Sequence, residues 1–168
     1  MQMIRHFRPV FAAIGFAVFM IVFNYLAKQT GLQYLSQIFG FLPKMVMPLI
    51  GLLFVLTWVP VFVGGIRFLG VKTAAGGGDK LITDGIYQYI RNPMYSGTVF
   101  TLFGFGLISN LTGVAFTPVL GFFISTWLVK QEEKTLTKKY GVEYLGYKQK
   151  TPAFIPNFAK LIKAVFVK

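Results

Sequence analysis

The chain contains no cysteine, a single histidine and only five acidic residues among its 168 residues. Without cysteine it can form neither a disulfide nor a thiolate metal site. A histidine-based metal centre needs several ligands, and the chain has only one histidine, His6. The sequence therefore predicts no bound metal, and any chemistry must come from other residue types.

Charge is also scarce. Charged residues make up 13% of the chain, whereas a soluble domain carries about a quarter. Hydrophobic residues make up 55%, and the mean hydropathy is +0.62. These values are typical of a membrane protein, and the length fits one compact bundle. We predict a single all-α, membrane-embedded domain over residues 1–168. The first two spans lie in 1–66, and residues 67–168 hold a connector, a hairpin and the C-terminal tail.

The charge that is present is strongly positive, with a net value of +12. Nine of the 17 basic residues are lysines from Lys130 onward, interleaved with tyrosine and phenylalanine. Basic residues that follow a span set topology and bind anionic headgroups. Because no nucleic-acid motif accompanies them, the expected partners are the membrane and a lipophilic or lipid substrate, with no nucleic acid.

Three uncharged runs predict the membrane spans. Residues 9–27 and 45–66 are each about as long as one bilayer crossing requires. Residues 92–129 are uncharged over nearly twice that length, with a turn signal at residues 109–113. The sequence thus predicts about four transmembrane helices, the last two forming a hairpin. A cytoplasmic amphipathic helix is expected after them.

The distribution of basic residues predicts the orientation. With four spans, the N-terminus, the connector at 67–91 and the C-terminal tail lie on one side. All but two of the 17 lysines and arginines are then on that side, the exceptions being Lys28 and Lys44. By the positive-inside rule we predict a multi-pass protein with both termini in the cytoplasm.

The first polar cluster precedes the third span. Pro93 restricts its own backbone and biases Asn92 away from helix, so the span is expected to begin directly after it. Free amides at a helix start favour an anionic group such as a carboxylate. A structural alternative is that Arg91 anchors the topology while Tyr87 and Tyr95 belong to an aromatic belt.

The second cluster, Glu132 and Glu133, follows the fourth span. If the helix continues, Glu132 shares a face with Leu136, Tyr140 and Tyr144. An acid on such an apolar face needs a partner, which suggests a functional role for Glu132. Glu133 is expected to point toward water as an ordinary solvated charge.

Together these clusters resemble the C-terminal half of the isoprenylcysteine carboxyl methyltransferase and phospholipid methyltransferase family. Segments 81–87 (LITDGIY) and 91–97 (RNPMYSG) look like the family patterns L-V-T-x-G-x-Y and R-H-P-x-Y-x-G. Segment 132–156 carries E-E, L, G-x-E-Y, Y and P in the family's order. The resemblance covers residues 72–156, about half of the chain, and the first two spans carry no signature.

The resemblance implies an integral membrane enzyme that transfers a methyl group from S-adenosyl-L-methionine to a small lipophilic or amphipathic acceptor. It places the cofactor on the cytosolic side, with Glu132 beside the reacting centre, and Glu132 and Arg91 are the predicted catalytic residues. The cofactor contacts that it implies are Lys72, Lys80, Leu81, Ile82, Tyr87, Asn92, Pro93, Met94, Tyr95, Glu132 and Glu133.

Two departures from the family pattern bear on the acceptor. The family histidine is replaced by Asn92, as in the phosphatidylethanolamine branch. The arginine that eukaryotic prenylcysteine enzymes use for the substrate carboxylate falls at Leu128. The alternatives are a phospholipid or other amine N-methyltransferase, an NADPH-dependent reductase of the sterol type, and a non-catalytic membrane adaptor.

Overall fold

A computed structural model describes residues 18–42, 44–74, 81–158 and 160, with the side chains of 69–74 left undescribed. The described chain is helical and contains no strand. Residues 18–29 form helix α1 as far as it is described. The elements that follow are α2 (Leu35–Ile38), α3 (Val46–Ala74), a 3-10 helix (Gly85–Gln88), α4 (Pro93–Ser109), α5 (Thr112–Tyr140) and α6 (Val142–Lys150).

Two of these helices are long and apolar enough to cross a membrane by length and composition. They are Val46–Phe68 within α3, with a mean hydropathy of 2.4, and Thr112–Tyr140, with 1.6. Helix α4 has 17 residues, and part of the predicted first span, residues 9–17, lies outside the described residues. The structure therefore supports a helical membrane protein, and the number of four spans stays a prediction.

The predicted hairpin turn is confirmed, because α4 ends at Ser109 and α5 begins at Thr112. The predicted end of the second span at residue 66 differs from the end of its helix. Helix α3 passes through Pro60 and continues to Ala74. Arg67 is the first charged residue after the uncharged run at 45–66, so the predicted span ended before it. Basic residues are good helix formers, however, and do not end a helix.

The chain divides into two compact units. The first comprises Met1–Val55 and Val99–Gly121, and its described core is Leu35, Leu107 and Ala115. Asn110 adopts a left-handed backbone with φ 58° at the hairpin turn. The turn is fixed to the start of α2, because the Leu35 amide donates to the Asn110 carbonyl at 2.9 Å and the Ser36 amide donates to its side-chain Oδ1 at 2.9 Å.

The second unit comprises Leu56–Thr98 and Phe122–Lys168 and holds all the candidate site residues that the sequence predicts. Within it, α3 and α4 approach closely at a glycine. A Cβ added to Gly97 would lie 2.5 Å from Phe62 Cβ and 2.8 Å from its Cα. Close backbone approach at a small residue is a common way for helices to pack in membranes. This contact fixes the start of α4 against α3.

Candidate functional site

The two clusters that the sequence singles out meet at one hydrogen bond. The Tyr95 hydroxyl, in the first turn of α4, donates to Glu132 Oε1 on α5 at 2.7 Å. Glu132 is exposed, and it forms no ion pair with any residue that the structure describes. Among the described residues, its carboxylate therefore has a tyrosine hydroxyl as donor and no cation as partner.

The neighbouring carboxylate has the opposite character. Glu133 was predicted to point to water, and that prediction is wrong. Its side chain is 11% exposed, and it contacts Arg91 Nη2 at 3.0 Å and Lys148 Nζ at 2.6 Å. The physical reason is that α5 turns Glu133 toward the connector and α6, where two cations compensate the cost of burying its charge.

The predicted common face of Glu132 and Tyr144 is also wrong. Helix α5 ends at Tyr140, and Gly141 adopts φ 55°, so Tyr144 belongs to the separate helix α6. A φ in this region is readily adopted by glycine, which allows the chain to change direction there. As a result, buried Tyr144 lies near Glu133 rather than on the face of Glu132.

Arg91 is held on several sides. Its side chain is 9% exposed, and besides Glu133 it contacts the Lys148 carbonyl, to which Nη1 donates at 3.1 Å. Its backbone amide donates to the Pro152 carbonyl at 2.9 Å. The guanidinium is thus engaged in holding the connector, and the predicted catalytic role of Arg91 stays a prediction.

Burial raises the pKa values of three tyrosines at the site further above neutral pH. Burial first, and the charge of Glu132 second, raise the pKa of Tyr87 above its ordinary value. Burial and then Glu133 raise the pKa of Tyr144 to about 12. Burial also raises the pKa of Tyr147. At neutral pH these side chains therefore serve as hydroxyl donors and neutral aromatic surfaces, not as bases.

The remaining predicted contacts lie along the same stretch of chain. Pro93 is buried as the first residue of α4, a position that proline favours. The Asn92 side-chain amide donates to the Ala153 carbonyl at 3.1 Å. Lys80 lies outside the described residues, as does the side chain of Lys72. The half-buried members of the set are Leu81, Ile82, Tyr87, Asn92 and Met94.

Sequence reasoning missed Lys148 as the second counter-ion of Glu133. The two residues lie on different helices, so no spacing rule relates them. The only available signal was that Lys148 directly follows Tyr147, a residue in the family-like pattern. Tyr147 itself donates from its hydroxyl to the Tyr87 carbonyl at 2.8 Å.

The described residues are helical, with apolar helices of membrane-spanning length and a hydrogen bond from Tyr95 at the start of α4 to Glu132 within α5, and these features define a class of membrane-embedded helical proteins. Comparison with known proteins then identifies the family. Residues 46–143 match the phospholipid methyltransferase family model, which is more than half of the chain. The chain belongs to the phospholipid methyltransferase family, and the family resemblance seen in the sequence is confirmed.

Curated relatives agree with this assignment. Protein-S-isoprenylcysteine O-methyltransferase B of Arabidopsis thaliana is 33% identical over 81 residues, which cover 46% of this chain and 40% of that protein. A probable protein-S-isoprenylcysteine O-methyltransferase of Oryza sativa is 41% identical over 81 residues, covering 46% and 41%. Methanethiol S-methyltransferase of Crocosphaera subtropica is 32% identical over 81 residues, covering 48% and 31%.

These matches cover only part of each relative. The matched region spans about two fifths of the Arabidopsis and rice proteins and less of the Crocosphaera one. The names of the relatives include a prenylcysteine O-methyltransferase and a methanethiol S-methyltransferase. The family is therefore shared among proteins whose named acceptors differ.

Proposed function

We propose that this protein is an integral membrane methyltransferase that uses S-adenosyl-L-methionine and acts on a small lipophilic or amphipathic acceptor. The observation that carries the proposal is the hydrogen bond between Tyr95 and Glu132. It joins the two family-like clusters, and both residues lie within the region that matches the family model. Most of the other predicted residues lie between residues 81 and 95, in the chain segment that leads into the same helix start.

The residues present fit the charge of this methyl donor, which bears a sulfonium, an ammonium and a carboxylate. Glu132 offers the negative charge, without a competing ion pair among the described residues. The first-turn amides of α4 lack helical carbonyl partners and favour a carboxylate. Leu81, Ile82 and Tyr87 are half-buried apolar or aromatic residues of the kind that can pack against an adenine ring.

When bound, the donor supplies an activated methyl group on sulfur that passes to a lone pair of the acceptor. The protein's part is to position and to shield. The Tyr95 hydroxyl donates to the Glu132 carboxylate and thereby holds that carboxylate in one orientation. Tyrosine faces stabilise a neighbouring cation, and the hydroxyls of Tyr87 and Tyr95 remain protonated donors at neutral pH. Fixed groups of this kind lower a barrier because they need no rearrangement.

The contacts of Arg91 limit the kind of acceptor that the site can bind. An acceptor carboxylate needs a free cation, but the Arg91 guanidinium is bonded to Glu133 and to the Lys148 carbonyl. Glu132, which has no ion pair with a described residue, can stabilise the positive charge that develops on the nitrogen of a neutral amine as it takes the methyl group and the S–C bonding pair returns to sulfur. Phospholipid or other amine N-methylation is accordingly the second candidate function, and the family model's description agrees with it.

The proposed membrane arrangement has four spans with both termini in the cytoplasm. The apolar helix α3 supports one of these spans, because only 11% of its most apolar stretch is buried within the protein. Leu49, Leu53 and Leu56 are between 59% and 63% exposed. Such a surface suits lipid, and it gives a lipophilic acceptor a route of approach through the bilayer.

Binding of S-adenosylhomocysteine to the purified protein in detergent tests the proposed function. A ligand that binds only the native state stabilises it by about 2.7 kcal/mol at a concentration of 100 times Kd. We expect a raised melting temperature and measurable heat by calorimetry. If saturating ligand moves neither, the methyltransferase proposal fails. Stabilisation by NADPH instead indicates the reductase alternative, and stabilisation by neither ligand indicates the adaptor.

A further inference from the structure

The C-terminal segment at residues 144–157, here named the clasp, bonds repeatedly to the backbone of the connector. The Tyr147 hydroxyl donates to the Tyr87 carbonyl at 2.8 Å, and the Asn157 amide donates to the Tyr89 carbonyl at 3.0 Å. In the reverse direction, the amides of Arg91 and Asn92 donate to the carbonyls of Pro152 and Ala153 at 2.9 and 3.2 Å. Four connector residues between 87 and 92 are held in this way.

These bonds form without a strand in the described part of the chain, so no sheet ladder supports them. The clasp begins in helix α6. This helix is short and directly follows Gly141, whose φ of 55° lies in the left-handed region. A nine-residue helix is not stable by itself in water. Something must therefore hold α6 against the rest of the second unit.

Buried Tyr144 and the Tyr147 hydroxyl contribute to this, and Lys148 adds an ion pair. Its Nζ lies 2.6 Å from Glu133 Oε2, which joins α6 to α5. Its carbonyl accepts from Arg91 Nη1 at 3.1 Å, which joins α6 to the connector. Glu133 also contacts Arg91, so one buried carboxylate links three segments of chain. Lys148 lies beyond residue 143, outside the region that matches the family model.

We propose that the clasp sets the conformation of residues 87–92, where the cofactor-binding connector meets α4, and that Lys148 is the positioning residue that locks it through Glu133 and Arg91. Lys148 itself forms no ion pair with Glu132 and no hydrogen bond with Tyr95 among the contacts of the described residues. The clasp acts by fixing Tyr87 and Asn92, which are bonded to it through backbone or side-chain groups. The inference rests on the proposed function for its consequence on ligand binding, but the locking contacts can be tested without any ligand.

Hydrogen exchange at the Arg91 and Asn92 amides measures whether the clasp is closed. Lys148→Met removes the charge and keeps most of the side-chain volume. We expect exchange at these two amides to accelerate about threefold to tenfold, the size of effect that a half-exposed ion pair supports. Lys148→Arg keeps the charge and should return exchange to near the wild-type rate. Lys150→Met is the matched control, because Lys150 is exposed and bonds to no described residue.

The proposal is overturned if Lys148→Met leaves exchange unchanged, or if Lys150→Met accelerates it equally. Tyr147→Phe removes a different clasp bond, the one to the Tyr87 carbonyl, and should shift exchange at the connector in the same direction. If neither Lys148→Met nor Tyr147→Phe does so, the clasp does not control the connector.

The ligand-dependent readout separates this inference from the proposed function. Lys148→Met should weaken S-adenosylhomocysteine binding about threefold to tenfold and raise KM, with little change in kcat, because Glu132 and Tyr95 are untouched. Lys148→Arg should restore both values. If the wild-type protein binds no S-adenosylhomocysteine, the proposed function fails, while the exchange measurements still decide whether the clasp exists.

Discussion

Two adjacent glutamates of one helix have different environments, and this difference defines the site at the scale of single residues. Glu133 is buried between two cations, whereas Glu132 is exposed and accepts one hydrogen bond from Tyr95. Removing one partner from a buried ion pair leaves an uncompensated charge and is costly. Removing an exposed carboxylate has little effect on stability. Substitution of Glu133 should therefore change mainly stability, and substitution of Glu132 should change mainly activity.

For Glu133→Gln we expect a loss of about 1–3 kcal/mol in the free energy of unfolding, somewhat below the range for fully buried pairs because Lys148 is partly exposed. The reason is that Arg91 and Lys148 lose their shared counter-ion. Thermal unfolding in detergent measures the change. Glu143→Gln is the control, since it removes an exposed acid that forms no ion pair among the described residues. A melting temperature equal to that of Glu143→Gln would contradict the role of Glu133.

Glu132→Gln should behave in the opposite way. We expect stability close to wild type and a fall in kcat/KM equivalent to about 1–3 kcal/mol, comparable to the loss of one electrostatic contact in other active sites. Methyl transfer from labelled S-adenosyl-L-methionine, measured with a panel of lipophilic acceptors, provides the readout. Wild-type activity in Glu132→Gln, with ligand affinity intact, would remove Glu132 from the site.

The hydrogen bond between Tyr95 and Glu132 can be tested as a pair. Tyr95→Phe keeps the ring and removes only the donor to Glu132 Oε1. If the hydroxyl acts by holding that carboxylate, the double variant with Glu132→Ala, which leaves no side-chain acceptor, should be little worse than Glu132→Ala alone. We expect a coupling energy of about 1 kcal/mol from a double-mutant cycle on kcat/KM. Additive effects would show that the two side chains act independently.

The sequence predicted a set of candidate site residues but not how they pair. Order, spacing and the family resemblance predicted Tyr95 and Glu132, and the structure joins them by a hydrogen bond, while their roles stay a prediction. The orientation of Glu133 was not predictable, because it depends on the end of α5 at Tyr140 and on the position of α6. A helical wheel drawn through residue 144 ignores that break at Gly141.

At the scale of elements, α3 and α4 are positioned by the absence of a side chain at Gly97. A Cβ there would lie 2.5 Å from Phe62 Cβ, which is closer than atoms can approach without movement of the backbone. The uncharged runs predicted both helices, but no feature of the sequence predicted which glycine forms the crossing. Glycines are common in membrane helices, so their presence alone does not identify a contact.

Gly97→Ala should therefore destabilise the protein by about 1–3 kcal/mol, the usual cost of overpacking. Gly146→Ala in α6 is the matched control, because a Cβ at that position meets nothing within 4 Å. There the substitution should be neutral or stabilising by up to about 1 kcal/mol, since alanine is the better helix former. Equal melting temperatures for the two variants would show that α3 and α4 do not approach closely at Gly97.

At the scale of the whole molecule, the predicted topology can be tested by the parity of the crossings. Gln29 lies at the end of α1 and Lys138 near the end of α5, and both are exposed. Helices α3, α4 and α5 lie between them along the chain. If all three cross the bilayer, the two positions lie on opposite sides. If α4, with its 17 residues, does not cross, they lie on the same side.

Single cysteines at these positions distinguish the two arrangements, and the native chain has no cysteine to interfere. We expect a membrane-impermeant maleimide to label Lys138→Cys only from the cytoplasmic side and Gln29→Cys only from the opposite side. The reason is the concentration of basic residues from Lys130 onward, which retains that segment in the cytoplasm. Labelling of both cysteines from one side would exclude three crossings between them. Labelling of Lys138→Cys only from outside would reverse the orientation and place Glu132 away from the cytosolic supply of a water-soluble methyl donor.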